Sequence, residues 1–93
     1  MTVLGKFSKQ PNEVLDYDVD FTDWFATRPD TPVSSTTTVD TGITLIGQVR
    51  TGMVVKVALG AGTSGVKYKA TVRMTTSAGF VKEVEFYCVV KET

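Results

Sequence analysis

The stretch YKATVRMTTSAGFVKEVEFYCVV (residues 68–90) decides the fold of this chain. Apolar side chains occupy every second position on each side of Ser77-Ala78-Gly79. These positions are Tyr68, Ala70, Val72 and Met74 before the turn, and Val84, Phe86, Cys88 and Val90 after it. A period of two is typical of a β-strand with one buried face. The stretch therefore predicts a long β-hairpin, which must bury its apolar face on a second layer because an isolated hairpin is marginal in water.

Shorter strands are predicted in the rest of the chain, separated by turn residues. They cover Val14–Phe21, Val33–Val39, Ile43–Val49 (with a bulge near Gly47) and Met53–Leu59. Thr22–Phe25 predicts one helical turn capped by Thr22, and Arg28–Pro32 predicts a rigid surface loop. Six or seven strands with turn signals roughly every eight to twelve residues predict an all-β fold, an immunoglobulin-like two-sheet antiparallel β-sandwich.

The chain has 93 residues, which suits one small domain. Residues 1–9 are predicted to form a separable N-terminal arm, because Gln10-Pro11-Asn12 interrupts the pattern. Val3, Leu4 and Phe7 of this arm could pair as an edge strand or lie on a neighbouring subunit. Residues 10–93 are predicted to form the immunoglobulin-like domain.

Tyr68 begins the predicted penultimate strand, directly after a glycine-rich corner at residues 60–65. Immunoglobulin-like sandwiches place a tyrosine there whose hydroxyl bonds to the backbone upstream. We therefore predict that Tyr68 has a structural role. The chain has no Cys–Trp–Cys arrangement, so it is not an antibody domain.

Ten basic and ten acidic side chains cancel, so net charge predicts neither nucleic-acid binding nor membrane binding. Their order along the chain is uneven. Residues 10–27 contain the acidic side chains Glu13, Asp16, Asp18, Asp20 and Asp23 and no basic one. Residues 41–82 contain the basic side chains Arg50, Lys56, Lys67, Lys69, Arg73 and Lys82 and no acidic one. The two groups are predicted to neutralise each other within the domain, or to meet between subunits.

The sequence offers no set of residues suited to catalysis. The chain has no histidine, its single cysteine (Cys88) lies at an inward strand position, and no serine has an obvious base, so we expect no enzyme activity, cofactor or metal. Asp16-x-Asp18-x-Asp20 looks like the start of a calcium loop, but it lacks the following glycine and the distal glutamate. Because it lies in a strand, its carboxylates are predicted to form a solvated or partner-facing acidic stripe.

The lone cysteine excludes an internal disulfide. No apolar run reaches transmembrane length, and residues 1–9 lack the features of a signal peptide. The sequence therefore predicts a chain that is made and used in solution.

Two motifs point to a family. KQPNEVLDYDVDF (residues 9–21) and LGAGTSGVKYKATVRMTTSAG (residues 59–79), with Ser34-Ser35 between them, resemble the fiber-tail adaptor proteins of tailed phages. The resemblance covers nearly all residues after Phe7. It departs at Phe21, where the family more often has Trp, at Asn12, which replaces Asp, and at Asp40-Thr41-Gly42, where Pro-Ala-Gly is commoner.

The resemblance implies a structural protein of the virion, assembled in the host bacterial cytoplasm, that links the neck or tail to fibres. It implies no catalytic residues. The partners would be other virion proteins and, in a symmetric ring, copies of the chain itself. The positions predicted to make these contacts are Val3, Leu4, Phe7, Asp16, Asp18, Asp20, Trp24, Lys67, Lys69 and Arg73.

Two other functions remain open from the sequence. One is a head-completion or capsid-decorating domain. The other is glycan binding by Trp24 and the Arg28–Pro32 loop, which needs exposed aromatic side chains; Trp24 is predicted more readily as a core or end-plug residue.

Overall fold

The computed structural model describes residues 2–27 and 30–92, with side chains from Phe7 onward. These residues form seven strands and one short helix, which confirms the all-β class. The elements are β1 (Thr2–Lys9), β2 (Leu15–Asp20), α1 (Thr22–Phe25), β3 (Pro32–Val39), β4 (Ile43–Thr51), β5 (Val54–Ala61), β6 (Val66–Thr76) and β7 (Val81–Val90). No helix in the described ranges is long and apolar enough to cross a membrane.

Two sheets form in the described residues: a four-stranded sheet in the order β1-β7-β6-β3 and a three-stranded sheet in the order β2-β5-β4. All strand pairs are antiparallel except β1 and β7, which are parallel. The prediction of a purely antiparallel sandwich is therefore wrong at this pair. Parallel neighbours need a long crossover, and here the rest of the chain supplies it.

The N-terminal segment takes one of the two arrangements that the sequence left open. Residues 2–9 form an edge strand of the four-stranded sheet. The backbone N–H of Lys91 donates to the carbonyl of Lys9 over 3.0 Å, so pairing continues to the end of β7. Gln10-Pro11-Asn12 does interrupt the strand, but as the turn that leads into the other sheet.

The β6–β7 hairpin forms the centre of the core, as predicted. All eight inward positions are at most 5% exposed: Tyr68, Ala70, Val72, Met74, Val84, Phe86, Cys88 and Val90. The opposing layer comes mainly from β2 and β5, whose buried side chains include Val19, Val55, Val57 and Leu59. The turn falls at residues 77–80, between the two strands.

Two local predictions have different outcomes. The pairing register of β4 with β5 shifts between Leu45 and Gly47, which confirms the bulge. Thr22, by contrast, does not cap α1. Phe21 occupies the cap position without a side-chain hydrogen bond, and the Thr22 hydroxyl donates to Asp20 instead.

Tyr68 sits at the glycine-rich corner and is 5% exposed. Its hydroxyl accepts a hydrogen bond from the backbone N–H of Thr63 over 2.9 Å. Gly42 and Gly62 have positive φ angles of 107° and 99°, and a Cβ on Gly42 would lie 2.9 Å from the Tyr68 ring. Both turns need glycine for their backbone conformation, and Gly42 also lets the ring approach closely.

One side of the sandwich is closed by side chains. The amide of Gln48 on β4 donates to the carbonyl of Ser35 on β3 over 2.8 Å, and Gln48 also accepts from the Thr37 hydroxyl over 2.6 Å. Arg50 donates to the carbonyl of Val33 over 3.3 Å. These bonds use carbonyl groups along the outer edge of β3 and tie the two sheets together.

Candidate protein-binding surfaces

The acidic stripe, Asp16, Asp18 and Asp20, lies on β2 at an edge of the three-stranded sheet. All three side chains are exposed, while Tyr17 and Val19 between them face the core. The alternation of the strand therefore separates a buried apolar face from a solvent-facing acidic one, as the sequence predicted for these positions.

The three carboxylates have different surroundings. Asp20 accepts hydrogen bonds from the backbone N–H of Thr22 over 2.8 Å and from its hydroxyl over 2.5 Å, and these bonds lower the pKa of Asp20. Asp16 forms an ion pair with Lys56 over 3.7 Å, but more than half of each side chain is exposed. Such an exposed pair contributes little to stability, so Asp16 and Asp18 remain available to a partner.

The basic side chains Lys69 and Arg73 of β6 pair with β7 and not with the acidic stripe. Lys69 lies 3.1 Å from Glu85, and Arg73 pairs with Glu83, both on the neighbouring strand β7. Hydrogen bonding to Glu85 raises the pKa of Lys69. Among the described residues, the predicted neutralisation is therefore observed at the exposed pair Asp16–Lys56 within the three-stranded sheet. It is wrong for Lys69 and Arg73, because β6 lies in the other sheet and β7 supplies their acidic partners.

Lys67 also contacts its own hairpin. Its ammonium lies 4.7 Å from the centroid of the Tyr87 ring, at cation–π distance. The three basic positions named from the sequence thus share the outer face of the hairpin and are engaged there with neighbouring side chains.

Phe7 packs on aromatic side chains of the domain. Its ring packs on those of Tyr17 and Phe86, with centroid distances of 5.1 and 5.5 Å, and it stays 37% exposed. It therefore bridges the gap between β1 and β2. Val3 and Leu4 lie in β1, but their side chains fall outside the described residues.

Trp24 packs against the core from α1. Its ring makes an edge contact with Phe25, with a centroid distance of 4.8 Å, and Phe25 is 4% exposed. This packing favours the end-plug interpretation over an exposed glycan platform. Arg28 and Pro29 of the proposed glycan loop lie outside the described residues.

Lys9 is a feature that sequence reasoning missed. Its side chain is 2% exposed, and its ammonium donates to the carbonyls of Gln10 and Pro11 over 2.7 and 3.3 Å. Buried lysines are rare unless their charge is paired or hydrogen-bonded. Lys9 therefore fixes the turn between the sheets. In the sequence, the position of this lysine directly before Gln-Pro in the first motif was the signal that could have indicated its role in the turn.

Asp30 is a second missed feature, at the opposite end of the domain. One carboxylate oxygen accepts from the Thr31 N–H and the Ser77 hydroxyl, both over 2.8 Å, and from the Ala78 N–H over 3.3 Å. Hydrogen bonding with Thr76, and then with these groups, lowers the pKa of Asp30 to about 2. Asp30 thus ties the loop before β3 to the hairpin turn.

An exposed apolar pair lies beside the acidic stripe. Val14 and Ile46 are 59% and 55% exposed, and both lie over Gly60, whose Cβ would come within 3.3 Å of each. Because Ile43 and Leu45 face inward, the alternation of β4 places Ile46 on this outer face. We call Val14 and Ile46 the apolar shelf.

Cys88 is 1% exposed, and its sulfur lies 3.8 Å from the Tyr17 hydroxyl. Burial raises the pKa of the Cys88 thiol, so the group is held in its neutral form. No three His, Cys, Asp or Glu side chains come together as a metal-ligand set in the described part of the chain.

Comparison with known proteins adds one result to this geometry. The model of the family described as "Podophage GP4 fiber-tail adaptor protein gp77" matches residues 9–89. The match begins at the buried Lys9 and ends one residue before the last of β7. A comparison with curated proteins gave no match.

Proposed function

Because this chain belongs to the podophage GP4 fiber-tail adaptor family, we propose that it is a structural component of the virion that links the tail to fibres through protein–protein contacts. The family match over residues 9–89, most of the chain, carries this proposal. It confirms the family indicated by the sequence motifs and supports a structural role in a phage tail.

The shape of the domain suits a linker. The fold is elongated, with extents of 44 × 20 × 19 Å, so its two ends present separate surfaces. Lys9 fixes a turn at one end, and Asp30 joins two turns at the other. Rigid ends favour binding between large assemblies, because little conformational entropy is lost when they dock.

The immunoglobulin-like classification belongs to the same proposal. Two facing sheets and the hydrogen bond from the Thr63 N–H to the Tyr68 hydroxyl support it. The parallel β1–β7 pair is a variation at one edge of the sandwich.

Within the particle, we propose that copies form a ring. An adaptor at a symmetric tail would repeat with that symmetry, and head-to-tail contacts between unlike surfaces close such a ring. The contacts cannot rest on Lys69 and Arg73 as free cations, since β7 engages both. In this proposal the chain catalyses no reaction, and its partners are virion proteins.

Deletion of the gene from the phage tests this function. We expect particles that lack the chain to carry filled heads and tails but no fibres, and complementation with the wild-type gene to restore the fibres. Fully fibred particles without the chain would contradict the proposal. Location of the chain on the capsid shell would favour the capsid-decorating alternative instead.

A further inference from the structure

We propose that the free edge of β2 binds an extended segment of a partner protein, with Lys or Arg alternating with apolar residues, as a fourth strand of the β2-β5-β4 sheet. This inference rests on the proposed adaptor function, because it assigns a surface and a chemistry to one of the adaptor's partners. Strand addition of this kind gives affinity through backbone hydrogen bonds and specificity through alternate side chains.

The backbone of β2 is open on one side. In the described ranges β5 is the sole neighbour of β2. The N–H of Phe21 donates to the carbonyl of Met53 over 2.8 Å, which fixes the phase of the ladder. Since hydrogen-bonded and non-hydrogen-bonded pairs alternate in antiparallel sheets, the N–H and C=O groups of Asp16 and Asp18 point away from β5. These groups are positioned to pair with an added strand.

The opposite side of the sandwich differs in this respect. There, Gln48 and Arg50 donate to carbonyls on β3, so side chains of the same chain already occupy that edge. The β2 edge has no such cover from described residues, and a strand can reach it without displacing an existing hydrogen bond.

The negative charge of the acidic stripe determines which kind of strand can bind at this edge. Side chains directly across a strand pair interact, and like charges placed there are destabilising. A second copy of β2 would bring its own carboxylates against Asp16 and Asp18. A strand with ammonium or guanidinium groups at alternate positions would instead pair with them, and Lys56 neutralises the stripe only through one exposed ion pair.

Apolar surface flanks the edge on both faces. On the inner side the rings of Phe7 and Tyr17 are partly exposed, and on the outer side lies the apolar shelf. The inward side chains of a docked strand would cover the two rings. A strand matching the six residues of β2 would extend about 20 Å, so a short segment of a partner is sufficient.

Synthetic peptides of about ten residues test the proposal on the full chain. The probe alternates Lys and Val; one control replaces Lys with Glu, and a second keeps Lys but is N-methylated at alternate residues along one edge. We expect the Lys peptide to bind at least about tenfold more tightly than either control. We also expect it to slow amide hydrogen exchange at Asp16 and Asp18 by at least about tenfold. Equal binding of the three peptides, or protection confined to other strands, would overturn the proposal.

Substitutions in β2 supply the matched test. Asp18→Pro removes an N–H that points away from β5, a position where edge strands tolerate proline, and should weaken binding at least about tenfold. Asp18→Asn keeps the N–H and should lose less affinity. If Asp18→Pro does not fold, the N-methylated peptide still tests edge pairing. Self-association of the wild-type chain that Asp18→Pro abolishes would identify a second copy as the occupant and overturn the proposal.

These measurements are separate from those that test the adaptor function. Fibreless particles after gene deletion, together with no peptide binding at β2, would leave the adaptor function in place and reject this edge as the docking site.

Discussion

The hydroxyl of Tyr68 accepts a hydrogen bond from the backbone N–H of Thr63 over 2.9 Å, across the corner that joins β5 to β6. Tyr68→Phe would remove the acceptor and leave this partly buried N–H without its partner. We expect the free energy of unfolding to fall by about 0.5–1.5 kcal/mol without a change of fold, as measured by urea denaturation. Tyr87→Phe is the control, because Tyr87 lies on the outer face of the same hairpin. Equal effects of the two substitutions would contradict a structural role for the Tyr68 hydroxyl.

Phe7→Ala tests whether β1 is part of the domain. Its ring contacts Tyr17 and Phe86 and is about two-thirds covered, so its loss should lower the free energy of unfolding by about 1–3 kcal/mol. Phe7→Leu keeps much of the volume and should lose less. An unchanged urea midpoint for Phe7→Ala would indicate that β1 is a separable arm.

Reversal of charge at Lys69 should destabilise the hairpin. The side chain of Glu85 is only 10% exposed and pairs with Lys69, so Lys69→Glu would place a second carboxylate against a largely buried one. Lys67→Glu makes the same charge change where the partner is the Tyr87 ring. We expect a lower thermal midpoint for Lys69→Glu than for Lys67→Glu. The difference between the two midpoints should become smaller in high salt, because salt screens the charges. Identical midpoints would show that the ion pair contributes nothing.

Asp30 should make stability depend on pH in the acidic range. Its pKa is about 2 in the folded chain, below the usual 3.8, so the carboxylate stabilises the fold when charged. That contribution is present above about pH 4 and is lost as pH falls through about 2. The thermal midpoint of the wild type should therefore fall more steeply between pH 4 and 2 than that of Asp30→Asn. Parallel curves would contradict this role for Asp30.

Alternation predicted much of the fold because burial imposes a period of two on each strand. The hairpin's inward positions, the outward placement of Asp16, Asp18 and Asp20, and the bulge before Gly47 all follow from local pattern. Each of these properties depends on residues close together in the chain, so the sequence could specify them.

Long-range pairing was not predictable in the same way. The partners of Lys69 and Arg73 are on β7, and only the sheet order shows that β2 lies in the other layer. The parallel β1–β7 pair and the burial of Lys9 likewise depend on how distant segments meet. A charge pattern identifies which side chains need partners, but not which sheet supplies them.

The most direct test of the adaptor function is a reconstruction of the intact phage particle at a resolution that shows side chains. We expect this chain to lie between the tail and the fibres, in contact with both, with a strand of another protein along β2. A chain located on the capsid shell, or at the tail without fibre contact, would contradict the adaptor function.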